Sequence, residues 1–87
     1  MKTSAMFFRA TMVTRGVSTT TTNRLLRLTQ QLSTAQNSSR RRALRKQIET
    51  VCAPWGLIPL FSEEPHDATL YLVLPSKQVV YVPESCS

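Results

Sequence analysis

A helical stretch in the middle of the chain constrains its fold more than any other feature. Residues 38–55 read SSRRRALRKQIETVCAPW. Apolar residues recur there at i, i+4, i+7 and i+11: Leu44, Ile48, Val51 and Trp55. Because an α-helix completes a turn about every 3.6 residues, this spacing places these side chains on one narrow stripe. We therefore predict a helix over about residues 39–53, with the stripe in the core and Ser38 or Ser39 as the N-cap.

A second helix is predicted before it, over about residues 23–36, with Asn23 as its N-cap. Its apolar residues follow a 3-4-3 spacing: Leu25, Leu28, Leu32 and Ala35. This apolar phase does not continue across the polar residues 37–39 into the next stripe. Two helices joined by a short turn are therefore expected, rather than one continuous helix.

Beyond Trp55 the sequence pattern becomes that of β-strands. Residues 69–74 and 78–82 are rich in β-branched and aromatic side chains and are separated by a hairpin-length connection, so they predict a β-hairpin. Residues 57–61 predict a further extended segment, which Pro59 would place at a sheet edge because proline has no N–H to donate. The expected fold class is α+β, with the helical stripe packed on the hairpin.

The hairpin is predicted to be covered on both faces. Leu70, Leu72 and Val80 are expected in the core, where the helical stripe can pack against them. Tyr71 and Val73 lie on the opposite face of the first strand and are also apolar. We therefore expect the second face, or the open edge, to require a neighbouring protein.

Charge divides the chain into two unlike halves. Residues 1–46 contain ten Lys or Arg residues and no Asp or Glu, whereas residues 47–87 contain five acidic residues and one base, Lys77. The net charge of +6 therefore combines a strongly cationic half with a mildly acidic one. Such asymmetry indicates a basic segment that meets an anionic surface, either nucleic acid or an anionic membrane. No apolar run is long enough to predict a transmembrane helix.

Residues 1–22 have the composition of a mitochondrial targeting segment, being basic, free of acidic residues and rich in Ser and Thr. Such a segment would be cut near Arg15–Thr19, and a basic tail without a targeting role is the alternative. Its few large apolar side chains predict an extended arm that only contacts outside the chain would order. The apolar residues that could line one helical face are Met6, Phe7, Met12 and Val13. The predicted division is this arm and a small, partner-dependent α+β domain at 23–87.

No catalytic constellation, metal site or cofactor site is predicted, and the chain is not expected to be an enzyme. Its two glycines are too few for a phosphate-binding loop. His66 lies in an acidic stretch, which is more typical of a solvated loop than of an acid/base cluster. Cys52 and Cys86 lack metal-ligand spacing. Cys52 is expected to be a buried structural thiol, and a disulfide between the two is not favoured.

The cationic residues are the most informative candidate site. Arginine forks pair with phosphate oxygens, and each neutralised phosphate releases a counterion, so arginines in a run on a helix suit a nucleic-acid backbone. A solvated basic face is the alternative. Because phosphate contacts carry no sequence information, sequence-specific readout is not predicted. The residues predicted to contact rRNA phosphates are Arg9, Arg15, Arg24, Arg27, Arg40, Arg41, Arg42, Arg45 and Lys46.

These features predict a structural subunit of a mitochondrial ribonucleoprotein. The specific hypothesis is a lineage-specific mitochondrial ribosomal protein of the matrix, with rRNA and neighbouring proteins as partners and no small-molecule substrate. The second hypothesis is an accessory subunit of a respiratory or ATP-synthase complex, whose cations would face acidic subunits or anionic lipid head groups. The third is a basic binding module outside mitochondria that recognises an acidic protein.

Overall fold

The chain forms three helices followed by a three-stranded antiparallel sheet, which confirms the α+β class. The computed structural model describes residues 5–61 and 70–83. Its elements are α1 (Ala5–Thr14), α2 (Thr19–Thr34), α3 (Ser38–Cys52), a 3₁₀ turn (Ala53–Trp55), β1 (Ile58–Phe61), β2 (Leu70–Val73) and β3 (Val79–Val82). The acidic stretch with His66, and Cys86, lie outside the described residues.

Both longer helices begin earlier than their sequence patterns predicted. The Ser18 hydroxyl, not Asn23, caps α2 by accepting from the Thr21 amide at 3.2 Å. The Asn37 side chain, rather than Ser38 or Ser39, caps α3 by accepting from the amides of residues 39 and 40 at 2.8 and 3.2 Å. The first turn of α2 consists of threonines, which are poor helix formers. It is helical because Ser18 caps it and because Thr22 is buried in the fold, where its hydroxyl is satisfied by donating to the Ser18 carbonyl at 2.9 Å.

The sheet has the strand order β1-β2-β3, and β1 lies at one edge, as the proline at position 59 predicted. On β2 and β3, Leu70 pairs with Val82 and Leu72 pairs with Val80. All four side chains are buried, so this face of the hairpin points into the core. The hairpin connection closes through the amide of Lys77, which donates to the Leu74 carbonyl at 2.8 Å.

One hydrophobic core joins the helices to this inner face of the sheet. The predicted core residues Leu44 and Ile48 are buried in it, together with Leu70, Leu72 and Val80. Val51 and Trp55 are half-buried and pack against its margin. The helices α1 and α2 contact β3, while α3 contacts β1, so the three helices form one layer over the sheet.

The N-terminal segment, predicted to be an extended arm, forms helix α1 instead. Phe8 and Met12 are 0% exposed on it, and α1 packs on α2 and β3. The segment has few large apolar residues, which is why an extended arm was predicted. The rest of the chain, however, supplies an apolar surface against which two large side chains one turn apart are enough to order a helix. The Arg9 Nε–H also donates to the Asn23 Oδ1 at 2.8 Å, which joins α1 to α2.

The outer face of the sheet is apolar and is not covered by the helices. Ile58, Leu60, Tyr71 and Val79 on this face are 40% to 57% exposed. Tyr71 contacts Tyr81 across β2 and β3 edge-to-face, with ring centroids 5.5 Å apart. Both faces of the hairpin were predicted to be covered, and in the described part of the chain the helices cover the inner face. Cover of the second face by a neighbouring protein stays a prediction.

Candidate nucleic-acid interface

The helices α2 and α3 form an antiparallel pair joined by residues 35–37. The start of α2 lies beside the end of α3: Arg24 of α2 lines the same groove as Thr50 and Val51 of α3. The buried residues of α3 lie on one side of the helix: Leu44, Ile48 and Cys52. The opposite side of the pair therefore faces solvent, and most of the predicted phosphate-contacting residues belong to these two helices.

Arg41 holds the two helices together. Its Nη1 donates to the carbonyl oxygens of Leu32 and Ala35 at 3.2 and 3.1 Å. These carbonyls lie at the C-terminal end of α2, where the regular i+4 amide donors run out, although the Leu32 carbonyl also accepts from the Ala35 amide at 3.3 Å. A cation is also favourable there because the helix dipole places partial negative charge at this end. Arg41 is half-buried, so its guanidinium is committed to capping α2.

Arg45 joins α3 to the edge strand. Its guanidinium carbon lies 5.4 Å from the centroid of the Phe61 ring, which is a cation–π distance. Its Nε is buried and has no hydrogen-bond acceptor among the described residues. Three of the predicted phosphate-contacting residues therefore have side chains engaged within the fold: Arg9, Arg41 and Arg45. The Arg9 side chain is bound to Asn23.

The other six predicted contact residues are exposed: Arg15, Arg24, Arg27, Arg40, Arg42 and Lys46. Four of them form what we call the cationic face: Arg24, Arg27, Arg42 and Lys46. The first two are one turn apart on α2, and the last two are one turn apart on α3, so each pair is adjacent on its helix surface. Arg15 lies elsewhere, beside Gln78 of the hairpin. Glu49 is the single acidic residue in ranges 5–61 and 70–83, so the positive potential is poorly compensated there.

A groove of about 500 Å³ runs between α2 and α3 within the cationic face. Its lining residues are Arg24, Leu28, Ala43, Lys46, Gln47, Thr50 and Val51. A second hollow shares Arg24, Thr50 and Val51 with it and extends to Trp55. We call the two together the interhelical groove. Sequence reasoning identified its two cations but missed its floor. The sequence pattern that could have predicted the α3 side of the groove is a row of small and polar residues beside the apolar stripe. These residues, at positions 43, 47 and 50, have the helical spacing i, i+4 and i+7.

The cysteine among the described residues, Cys52, is buried in the core. Burial, together with the smaller effect of the nearby Glu49 carboxylate, raises the pKa of the Cys52 thiol to about 11. The thiol is therefore protonated at neutral pH and is a poor nucleophile. Across ranges 5–61 and 70–83, no three His, Cys, Asp or Glu residues are grouped as metal ligands would be. In the same ranges, no helix combines the length and apolar content that a membrane crossing needs.

Comparison of the chain with protein-family models, with curated proteins and with solved structures finds no match.

Proposed function

We propose that this chain is a structural RNA-binding subunit of a large ribonucleoprotein, with a mitochondrial ribosome as the particle. The observation that carries the proposal is the cationic face, in which two adjacent helices present four exposed cations. Its arginines suit phosphate oxygens because a guanidinium can donate two parallel hydrogen bonds. Binding of this kind gains free energy from counterion release and fixes the orientation of the protein without reading sequence.

The N-terminal composition supports the mitochondrial part of this proposal. The segment is basic and free of acidic residues, as import signals are. Cutting near Arg15–Thr19 would remove Phe8 and Met12, which fill the core. We therefore propose that the segment acts in import without being removed, so that α1 remains part of the folded protein.

The alternative, an accessory subunit of a respiratory or ATP-synthase complex, is supported by a different observation. The outward side of α1 carries Met6, Phe7 and Val13, which are 50% to 79% exposed. A helix with such a side can lie in the interfacial region of a lipid bilayer. Under this alternative the cationic face would meet anionic head groups instead of RNA.

Sedimentation of the tagged protein from mitochondrial lysate tests the proposal. Under the proposal the protein migrates with a large particle that ribonuclease disperses. A variant with Arg24, Arg27, Arg42 and Lys46 replaced by Gln should leave the particle, and partial substitutions should dissociate at lower salt than the wild type. The control replaces Lys77, an exposed cation outside the cationic face and outside the set of predicted contact residues, by Gln. A particle that resists ribonuclease but requires an intact membrane would support the alternative, and a free monomer would contradict both.

A further inference from the structure

We infer that the interhelical groove binds an unpaired nucleotide of single-stranded RNA, with Arg24 and Lys46 on the phosphate and the apolar floor against the base. This inference rests on the proposed function and specifies the RNA structure that the cationic face recognises. Four features of the groove support it: its cations, its floor, its polar groups and its size.

The cations lie on opposite walls of the groove. Arg24 is supplied by α2 and Lys46 by α3, and both side chains are exposed. A phosphate at the mouth of the groove can therefore meet a planar guanidinium from one side and a compact ammonium from the other. Two cations that line the same concave surface also concentrate the field that attracts an anion.

The floor between these cations is apolar. Leu28 is buried in α2, Val51 is half-buried in α3, and Ala43 contributes only a methyl group. A backbone phosphate gains nothing from such a surface. The flat face of a nucleobase does, because its contact with apolar side chains removes both from water.

Two uncharged polar side chains, those of Gln47 and Thr50, also line the groove. The Thr50 hydroxyl donates to the Lys46 carbonyl at 3.0 Å, which leaves its oxygen lone pairs free to accept. The Gln47 amide can both donate and accept. Together they match the mixed donors and acceptors on the edge of an unpaired base.

The dimensions of the groove favour a splayed nucleotide over a duplex. A volume of about 500 Å³ falls in the range of small-molecule sites. Bases in an A-form duplex are paired and stacked, so a duplex could reach the cations but would leave the floor empty. The adjoining hollow ends at Trp55, whose half-buried indole offers a surface for the next base of a single strand.

The test compares a short unstructured oligouridylate with an RNA duplex of the same length, by fluorescence anisotropy at one salt concentration. The diagnostic variant is Ala43→Leu, which fills the groove without changing charge. It should weaken single-strand binding about tenfold or more, the effect of losing one base contact, and leave duplex binding unchanged. The control is Ala10→Leu, an exposed alanine on α1, which should change neither affinity.

Crosslinking of the wild-type protein to an oligonucleotide with 4-thiouridine gives a second measurement that does not depend on how the variant folds. The crosslinked peptide should contain Ala43 to Val51. Equal affinity for the single strand and the duplex, unaffected by Ala43→Leu, would overturn the nucleotide site and leave the proposed function standing. Failure to bind either RNA would overturn both. If Ala43→Leu instead abolishes binding of an acidic helical peptide while RNA binding is unchanged, the groove is a protein-docking site and the inference is wrong.

Discussion

At the scale of single residues, the positive charges have two kinds of surroundings. Arg9, Arg41 and Arg45 are half-buried and hold neighbouring elements together, through a side-chain amide, two backbone carbonyls and an aromatic ring respectively. The residues of the cationic face are exposed and stay available to a partner. Adjacent arginines therefore differ in role: Arg41 stabilises the fold, whereas Arg42 is a candidate ligand for RNA.

The substitution Arg41→Gln should lower the free energy of unfolding by about 1–2 kcal/mol, because two carbonyls at the end of α2 lose a charged donor. The neighbouring Arg42→Gln should change it by less than about 0.5 kcal/mol, since its side chain is exposed. Urea unfolding followed by circular dichroism measures both. Equal effects of the two substitutions would show that Arg41 does not cap α2.

At the scale of elements, the β2–β3 connection contains a residue in an unfavourable conformation. Lys77 has φ = 71°, in the left-handed region that glycine adopts more readily than other residues. Its amide closes the turn onto Leu74, and the Leu74 amide donates to the Gln78 carbonyl, both at 2.8 Å. This is the pattern of a turn followed by a left-handed residue, in which glycine is usual.

Replacing Lys77 by Gly should therefore stabilise the protein by about 0.5–1 kcal/mol, as relief of the left-handed strain outweighs the added freedom of the unfolded chain. Ser76→Gly is the matched control, because the φ of Ser76 is not positive. Glycine at position 76 therefore relieves no strain and only increases the conformational entropy of the unfolded chain. Thermal unfolding should show a higher Tm for the first variant and an unchanged or lower Tm for the second. A fall in Tm for Lys77→Gly would mean that the lysine side chain makes a compensating contact.

At the scale of the whole molecule, α1 and the sheet depend on each other. Phe8 and Met12 share one core with α2 and β3, so the chain has a single hydrophobic core that begins within its first helix. The two outer surfaces of the molecule differ in chemistry: the helical layer presents the cationic face, and the sheet presents an uncharged apolar face. A subunit situated between RNA and protein would need one surface of each kind.

The substitution Phe8→Ala should cost about 3–5 kcal/mol, a large fraction of the total stability of a small domain. The adjacent Phe7→Ala is the control, because Phe7 is 63% exposed and its truncation creates no cavity in the core. Chemical unfolding of the two variants gives the comparison. A small effect of Phe8→Ala would mean that α1 is dispensable, and residues 1–22 could then act as a separable arm.

Local spacing in the sequence was sufficient to predict α2, α3 and the strands, but not the residues at which the two helices begin. The stripe of α3, the leucines of α2 and the alternation in β2 and β3 are properties of neighbouring residues, and Pro59 specified an edge position by lacking an N–H. The same local reasoning identified the cations of the candidate interface, since charge is visible in any sequence.

Tertiary contacts decided three other features: the helical state of the N-terminal segment, the separation of structural from available arginines, and the interhelical groove. The two large buried side chains of α1, Phe8 and Met12, are too few to order a segment alone, and they suffice only against the surface made by α2 and β3. Arg41 and Arg42 are chemically identical in sequence, and only the approach of α2 gives one of them carbonyls to bind. The groove exists because residues at 24 and 28 meet residues at 43 to 51, a contact across the helix pair that spacing within one helix does not specify.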